Sequence, residues 1–226
     1  MSELSLQAYR KDPNSYSHIK DPVSTLTHFI GFILSIFSTP LLLSKAGIRH
    51  SDIVIMAGLS IYCLSMIVLY GASSAYHAFL LTEKGMKILR KIDHISIFFL
   101  IAGTYTPICL ILLGKNGKAL LLLIWILAIA GMTMKLFWID HPKYISSILY
   151  ISMGWLALIR IKDIYHALNG PGFFLLLFGG LLYTIGGIIY ALKIRINDKW
   201  SEHEIFHIFV LLGSLCHFLM IYLYII

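Results

Sequence analysis

The amino-acid sequence predicts an all-α membrane protein, a seven-transmembrane helix bundle, and three observations predict it. Hydrophobic residues make up 58% of the 226-residue chain, and its mean hydropathy is +0.83. Only 13% of the residues are charged, whereas a soluble domain carries about 25%. Finally, these few charges leave seven uncharged stretches, and a bilayer core needs roughly 20 apolar residues for each helix that crosses it.

The uncharged stretches define the expected spans. They are residues 22–44, 53–82, 94–114, 119–134, 144–159, 164–192 and 205–226. The two stretches of 16 residues can still cross, because Lys135 and Arg160 beside them are expected to snorkel to the interface. Residues 22–226 should therefore form one seven-helix domain, preceded by a polar cytoplasmic tail at 1–21.

The distribution of Lys and Arg predicts the orientation, because cytoplasmic segments carry the excess of these residues. The tail and the loops after spans 2, 4 and 6 carry Arg10, Lys11, Lys20, Lys84, Lys87, Arg90, Lys91, Lys135, Lys143, Lys193, Arg195 and Lys199. The other loops carry Lys45, Arg49, Lys115, Lys118, Arg160 and Lys162. The N-terminus is thus expected inside and the C-terminus outside. This topology and anionic lipids account for the net charge of +7, so no nucleic-acid partner is expected.

Local signals mark several helix ends and packing points. Asp21-Pro22 reads as an N-cap followed by a helix-compatible proline at the start of span 1. Pro107 lies deep in span 3 and should kink it. Asn169-Gly-Pro-Gly172 predicts a break before span 6. The glycine pairs 179–180 and 186–187 in span 6 favour close packing against a neighbouring helix.

Five polar side chains are expected at one depth, near the cytoplasmic ends of their spans. Ser73 and His77 close span 2, Asp93 opens span 3, and His203 and His207 open span 7. Residues four apart share a helix face, which applies to Ser73 with His77 and to His203 with His207. Ionisable groups inside a membrane usually face the interior of the bundle. These side chains are therefore expected to share one site.

A divalent cation would account for several of these groups at once. Three neutral imidazoles suit Zn²⁺, with a water in the fourth position. Zinc can bring the pKa of such a water to about 7. Asp93 could orient or deprotonate the water, and Ser73 could steady an oxyanion or a ligand. Asp93 could also simply complement the N-terminus of its helix.

The letters H-E-x-x-H at 203–207 allow two interpretations of Glu204. It could be the general base of a zinc protease, or the N3 residue of a capping box that begins with Ser201. The capping box is favoured. His28 and His94 are expected to be hydrogen-bonded interior groups, and His217 lies too deep for the same centre. The remaining histidines are expected in loops or at the interface: His18, His50, His141 and His166.

Four motifs in a fixed order carry a resemblance to a known family. They are Thr27-His28 with Gly31, Ser73-x-x-x-His77, Asp93-His94 followed by Gly103-Thr-Tyr-Thr-Pro107, and His203-x-x-x-His207. The chain resembles the hemolysin III branch of the progestin and adipoQ receptor (PAQR) group, in the superfamily that includes alkaline ceramidases. The resemblance implies a seven-helix fold, zinc on the three histidines (77, 203 and 207), Asp93 near the zinc-bound water, and Ser73 beside them.

The function expected from these features is zinc-dependent hydrolysis of a lipid amide or ester bond, linked to membrane-lipid homeostasis, in the cell membrane. Its partners would be membrane lipids and a small lipid substrate or ligand. Alternatives are a non-catalytic membrane-fluidity regulator or receptor with structural zinc, a pore-forming cytolysin, and an intramembrane metalloprotease. The short N-terminal tail does not favour a receptor for a protein hormone, and a protease would need a carboxylate metal ligand on another span.

Overall fold

A computed structural model describes residues 19–49, 52–194 and 200–226. Most of the predicted N-terminal tail, residues 1–18, lies outside this part of the chain. So do His18 and His50 and four of the cations counted for orientation: Arg10, Lys11, Arg195 and Lys199. The side of the membrane on which each end lies stays a prediction from the Lys and Arg count.

The described residues form a helical protein without β-strands, and seven of its helices are long and apolar enough to cross a membrane. These helices are α1 (Pro22–Arg49), α2 (Ile53–Ala78), α3 (Glu83–Leu112), α4 (Gly114–Phe137), α5 (Lys143–Ala167), α6 (Gly170–Leu192) and α7 (Glu202–Ile225). The predicted fold class is therefore confirmed.

Several helices extend beyond the ends of the uncharged stretches, so charged residues do not mark the helix ends. Helix α3 begins at Glu83 rather than after Asp93, because the Thr82 hydroxyl caps the amide of Gly85 at 3.3 Å. Helix α5 was expected to end at Arg160, but it continues to Ala167 after a 3₁₀ segment, Trp155–Arg160. A charged side chain near a helix end can reach water without breaking the backbone hydrogen bonds. The observed spans are consequently longer than the uncharged stretches.

The predicted irregularities fall where proline and asparagine stand. The α-helical part of α3 ends at Pro107, and a π-helical turn, Ile108–Leu112, follows it. Proline has no amide hydrogen, so the regular hydrogen-bond ladder cannot run through it. The predicted break at Asn169 is confirmed: its side-chain oxygen accepts a hydrogen bond from the amide of Gly172 and caps α6.

The glycines of α6 permit close contact with α7. A Cβ atom at Gly179 would lie 2.5 Å from the His217 ring, and one at Gly186 would lie 2.7 Å from Phe209. A larger residue at either position would push the helices apart. The predicted packing role is confirmed at these two positions, whereas Gly180 faces open space. Helices α6 and α7 are thus fixed against each other below the two histidines at the start of α7.

Lys135 does not snorkel to the interface as predicted. Its side chain is 1% exposed and lies on the buried face of α4 with Ala128 and Gly131. Spacings of three and four residues place all three on one face of the helix, and that face packs against the bundle. The ammonium group therefore points into the protein rather than along its surface.

Candidate metal centre

The three histidines singled out in the sequence meet at one end of the bundle. His77 stands in the last turn of α2, and His203 and His207 stand in the first two turns of α7. One ring nitrogen of each lies within 4.8 Å of those of the other two. The Nε2 atoms of His77 and His203 are 3.0 Å apart. The structure thus contains a possible metal-binding cluster of three histidines, which we call the histidine cluster.

Two of the imidazoles are oriented through their second ring nitrogen. His77 Nδ1 donates a hydrogen bond to the Asp21 carboxylate at 2.9 Å. His207 Nδ1 donates to the backbone carbonyl oxygen of Ser24 at 3.3 Å. Histidine ligands of metals usually donate their second N–H to a carboxylate or a carbonyl in this way. Both residues can then present an unprotonated Nε2 to a cation, so the donor set fits a metal ion.

The backbone before α1 positions Asp21 for this role. The amides of Lys20 and Asp21 donate to the carbonyl oxygens of Ala78 and His77, which pins the start of α1 to the end of α2. From the sequence, Asp21 is expected only as a helix cap. Nothing in Asp21-Pro22 itself signals the contact with His77, 56 residues away.

The Asp21 carboxylate is ionised at neutral pH. Its partial burial favours the protonated form, but the hydrogen bond from His77 and the charge of Lys20, 3.4 Å away, outweigh this effect. Together they hold the pKa of Asp21 below its usual value. Burial lowers the pKa of Lys20, and the Lys20 ammonium also donates to the carbonyl oxygen of Tyr76 at 2.8 Å. An anion therefore accepts the hydrogen bond from one of the candidate ligands and fixes the orientation of its ring.

His28 is buried as predicted, but the predicted hydrogen bonds are absent. It is 3% exposed, and neither ring nitrogen has a hydrogen-bond partner among the described residues. Instead, its ring stacks on His207 with 3.7 Å between the centroids, and the Tyr70 ring packs edge-on against it at 5.2 Å. Gly31 makes this possible, because a Cβ atom there would lie 2.5 Å from Tyr70. His28 thus packs against a member of the histidine cluster, and Gly31 leaves room for the Tyr70 ring that holds His28 in place.

Asp93 and Ser73 lie on the wall of the same cavity as His203 and His207. Both are buried, and the Ser73 hydroxyl interacts with the Asp93 carboxylate. These residues, which were expected at the same depth in the membrane, therefore line one cavity. Their catalytic roles stay predictions.

Glu204 is part of a capping box, as favoured from the sequence. Its amide donates to the Ser201 hydroxyl at 3.2 Å, and its carboxylate accepts from the Ser201 amide at 2.8 Å. Such reciprocal bonds satisfy donors at the start of a helix that would otherwise lack a partner. The carboxylate is thereby engaged at the start of α7.

The cavity has a volume of about 170 Å³, and its wall has charged residues at one end and mostly apolar side chains elsewhere. Its charged residues come from the start of α3, the end of α4 and the start of α5, the same end of the bundle as the histidine cluster. Apolar side chains from the middle of α3, α6 and α7 cover most of the rest, among them Leu100, Ile101, Leu176 and Val210. An amphiphile with its polar part at the histidines suits this wall.

Comparison with known proteins adds a family to this geometry. The family model described as haemolysin-III related matches residues 16–218. The chain belongs to this family. It is 39% identical over 210 residues to Hemolysin-3 of Bacillus cereus, with 92% of this chain and 93% of that protein covered. It is 40% identical over 211 residues to the Hemolysin-3 homolog of Bacillus subtilis (strain 168), with 91% and 95% covered.

The resemblance seen in the sequence is confirmed by these matches. They extend over nearly the whole chain, so the haemolysin-III-related assignment covers all seven helices and the histidine cluster. With the seven membrane-spanning helices, it makes this chain a multi-pass cell-membrane protein.

Proposed function

We propose that this haemolysin-III-related protein is a zinc-dependent hydrolase that cleaves an amide or ester bond of a membrane lipid. One observation carries the proposal: two members of the histidine cluster, His203 and His207, line a largely apolar cavity together with a buried carboxylate and a hydroxyl. Ionisable groups inside a membrane are costly and typically mark functional sites. A site with these groups beside an apolar wall suits a substrate that has both a polar bond and an acyl chain.

Zinc is the metal that the donors fit best. Three imidazole nitrogens from His77, His203 and His207 are a ligand set typical of catalytic zinc, and Asp21 and the Ser24 carbonyl orient two of these rings. When bound, a zinc ion supplies Lewis acidity that polarises a carbonyl group and makes a water molecule easier to deprotonate.

The chain's own groups would manage the protons and the developing charge. In the hydrolysis, the oxygen of water bonds to the carbonyl carbon, and the bond from that carbon to the amide nitrogen or ester oxygen breaks. The Asp93 carboxylate accepts a proton from the attacking water and passes it to the leaving nitrogen or oxygen. The Ser73 hydroxyl donates a hydrogen bond to the carbonyl oxygen as it becomes negative.

The apolar wall would hold the acyl chain in a fixed place. Its side chains lie beyond the polar end of the cavity, so a chain laid along them leaves the carbonyl group near Asp93 and Ser73. This arrangement limits the motion of the reacting groups relative to each other, which lowers the entropic cost of the reaction.

The test compares purified wild-type protein with Asp93→Asn on a panel of lipid amides and esters, with products measured by mass spectrometry and zinc by elemental analysis. We expect the wild type to release fatty acid. Asp93→Asn should keep its zinc but lose at least about 100-fold in rate, the effect of removing a general acid–base group. Glu83→Gln, an exposed acid at the start of the same helix, is the matched control and should leave the rate unchanged.

A second candidate is a structural metal that fastens helices without turnover. It is favoured by the contacts of Asp21, His77 and His203, which join α1, α2 and α7 at one end. A wild-type protein that holds zinc, loses thermal stability on chelation and hydrolyses no lipid in the panel would support it over the hydrolase. In that case Asp93→Asn should also keep full cellular function.

A further inference from the structure

A second polar cluster lies on the cavity wall, on helices that contribute no member of the histidine cluster. It consists of Lys135 of α4, His94 of α3, Ser146 of α5 and His141 of the loop between α4 and α5; we call it the lysine cluster. All four residues line the cavity. Lys135, His141 and Ser146 are buried, and His141 lies in a loop, as expected from the sequence.

The hydrogen bonds of this cluster run outward from the ammonium group. Lys135 Nζ donates to His94 Nδ1 at 3.1 Å and to the Ser146 hydroxyl at 2.5 Å. The hydroxyl in turn donates to His141 Nε2 at 3.2 Å, and His141 Nδ1 donates to the carbonyl oxygen of Pro142 at 2.9 Å. In this arrangement His94 Nδ1 and the Ser146 hydroxyl oxygen accept hydrogen bonds from the ammonium group. An ammonium carries three donors, so the third is available to a ligand in the cavity.

The Lys135 ammonium makes no direct ion pair with a described residue, although the Asp93 carboxylate is close enough to interact with it electrostatically. Among the described residues, no carboxylate oxygen lies within 4.0 Å of Lys135 Nζ, whereas the other two cations on the wall are paired. Arg90 donates to Asp140 at 2.8 Å, and Lys143 lies 3.6 Å from Glu202. Among the described residues that line the cavity, Asp93 is the only acidic one. Three cations thus face the cavity with one carboxylate, before any metal ion is added.

A buried charge without a counterion in direct contact is costly, which makes an anionic ligand the natural complement. We propose that the lysine cluster is a phosphate-binding site, and that it holds the headgroup phosphate of a lipid whose acyl chain lies along the apolar wall. Lysine binds phosphate as a point charge. The paired cations Arg90 and Lys143 add positive potential at the same end of the cavity.

The position of the cluster connects it with the proposed hydrolase. His94 follows Asp93 in α3, and their side chains lie 3.9 Å apart between His94 Nε2 and Asp93 Oδ2. A lipid held by its phosphate at Lys135 therefore reaches Asp93 with the part of the molecule next to the headgroup, where glycerolipids and sphingolipids carry ester and amide bonds. This assignment of a substrate class, phosphate-bearing lipids, rests on the proposed function, but the binding site itself does not.

The test measures the binding of 1-oleoyl lysophosphatidate to the purified full chain by native mass spectrometry in a neutral detergent. 1-Oleoylglycerol, which lacks the phosphate, is the uncharged counterpart. The protein is first treated with a chelator, so that no metal ion at the histidine cluster holds the phosphate. We expect lysophosphatidate to bind about ten- to one-hundred-fold more tightly than 1-oleoylglycerol, the effect of hydrogen bonds to a charged group.

Variants locate this preference. Lys135→Met should abolish it, whereas Lys84→Met, which removes an exposed cation from the start of α3, should retain it. If Lys135→Met does not fold, Ser146→Ala serves instead, because it removes the oxygen that orients the ammonium; an unchanged preference there counts against the proposal.

Two further results would overturn the proposal. Equal binding of the two lipids by the wild type would show that the protein has no phosphate-binding site. A preference that persists in Lys135→Met would show that the lysine cluster is not that site. Inorganic phosphate that displaces lysophosphatidate at equal concentration would show a site for the free anion rather than for a lipid. Since no turnover is measured, a failure of the hydrolase proposal leaves these outcomes unaffected.

Discussion

The histidine cluster and the lysine cluster share one cavity but are organised in opposite ways. In the first, a carboxylate and a carbonyl oxygen take up ring N–H groups, so that unprotonated nitrogens converge. In the second, neutral acceptors converge on an ammonium group. The first therefore collects lone pairs and suits a cation, whereas the second collects donors and suits an anion. The cavity thus has two polar sites of complementary preference, joined by the neighbours Asp93 and His94.

The largest expected effect comes from removing a ligand of the histidine cluster. His203→Ala should weaken zinc binding by more than about 100-fold, because a ligand contributes more than the second-shell groups whose loss costs 10–100-fold. Elemental analysis after dialysis measures the zinc content. His94→Ala, in the lysine cluster, should keep its zinc. Equal loss in both variants would mean that the two clusters are one site.

Removal of the metal by a chelator tests the histidine cluster through the thermal stability of the protein. A ligand that binds only the folded state stabilises it in proportion to RT ln(1 + [L]/Kd). A chelator should therefore lower the thermal unfolding temperature of the wild type but leave that of His203→Ala unchanged. A further drop in the variant would place the metal elsewhere.

A smaller loss of zinc affinity is expected when the Asp21 carboxylate, which accepts the hydrogen bond from His77, is changed. Asp21→Asn keeps an oxygen that can accept from His77 Nδ1 but removes the negative charge, so zinc affinity should fall about 10–100-fold. Competition with a chelator of known affinity measures this change. Asp52→Asn is the matched control, because Asp52 caps the start of α2 at the other end of that helix. An unchanged affinity in Asp21→Asn would show that the carboxylate does not tune the cluster.

The histidine cluster could be predicted from the sequence because helical geometry fixes its parts. His203 and His207 are four residues apart, and alternating spans return His77 and Asp93 to the same end of the bundle. Capping is local as well, so Ser201 and Glu204 were interpreted correctly. These inferences use only spacing along a helix and the direction in which each span runs.

The lysine cluster and the role of Asp21 could not be predicted in the same way. Helix α4 is apolar on nearly every face, so its sequence does not show which side packs against the bundle, and a lysine near its end is expected to snorkel. The partner of Asp21 stands on another helix, and no pattern along the chain connects the two. His28 stacks on His207, and this tertiary contact likewise could not be predicted from the sequence.

Little effect on the metal is expected when the lysine cluster loses its charge. Lys135→Met replaces a buried cation, whose burial costs free energy, with an apolar side chain of similar length. The free energy of unfolding should change by no more than about 1 kcal/mol, since Ser146 and His94 can hydrogen-bond water in the cavity. Thermal unfolding in detergent and zinc analysis check both statements. Zinc loss comparable with that of His203→Ala would contradict the separation of the clusters.

The smallest effect is expected at Glu204, and it separates two interpretations of H-E-x-x-H. If Glu204 acts only in the capping box, Glu204→Ala should cost about 1 kcal/mol of stability and leave zinc content and turnover unchanged. As a general base, its loss would lower the rate about 10²–10⁴-fold while the zinc stays bound. Unfolding measurements and lipid turnover, made on the same preparation with Glu83→Gln as control, distinguish the two. Because the Glu204 carboxylate already accepts a hydrogen bond from the Ser201 amide at the start of α7, the cap accounts for its presence, and Asp93 stays the residue that we propose for the proton chemistry.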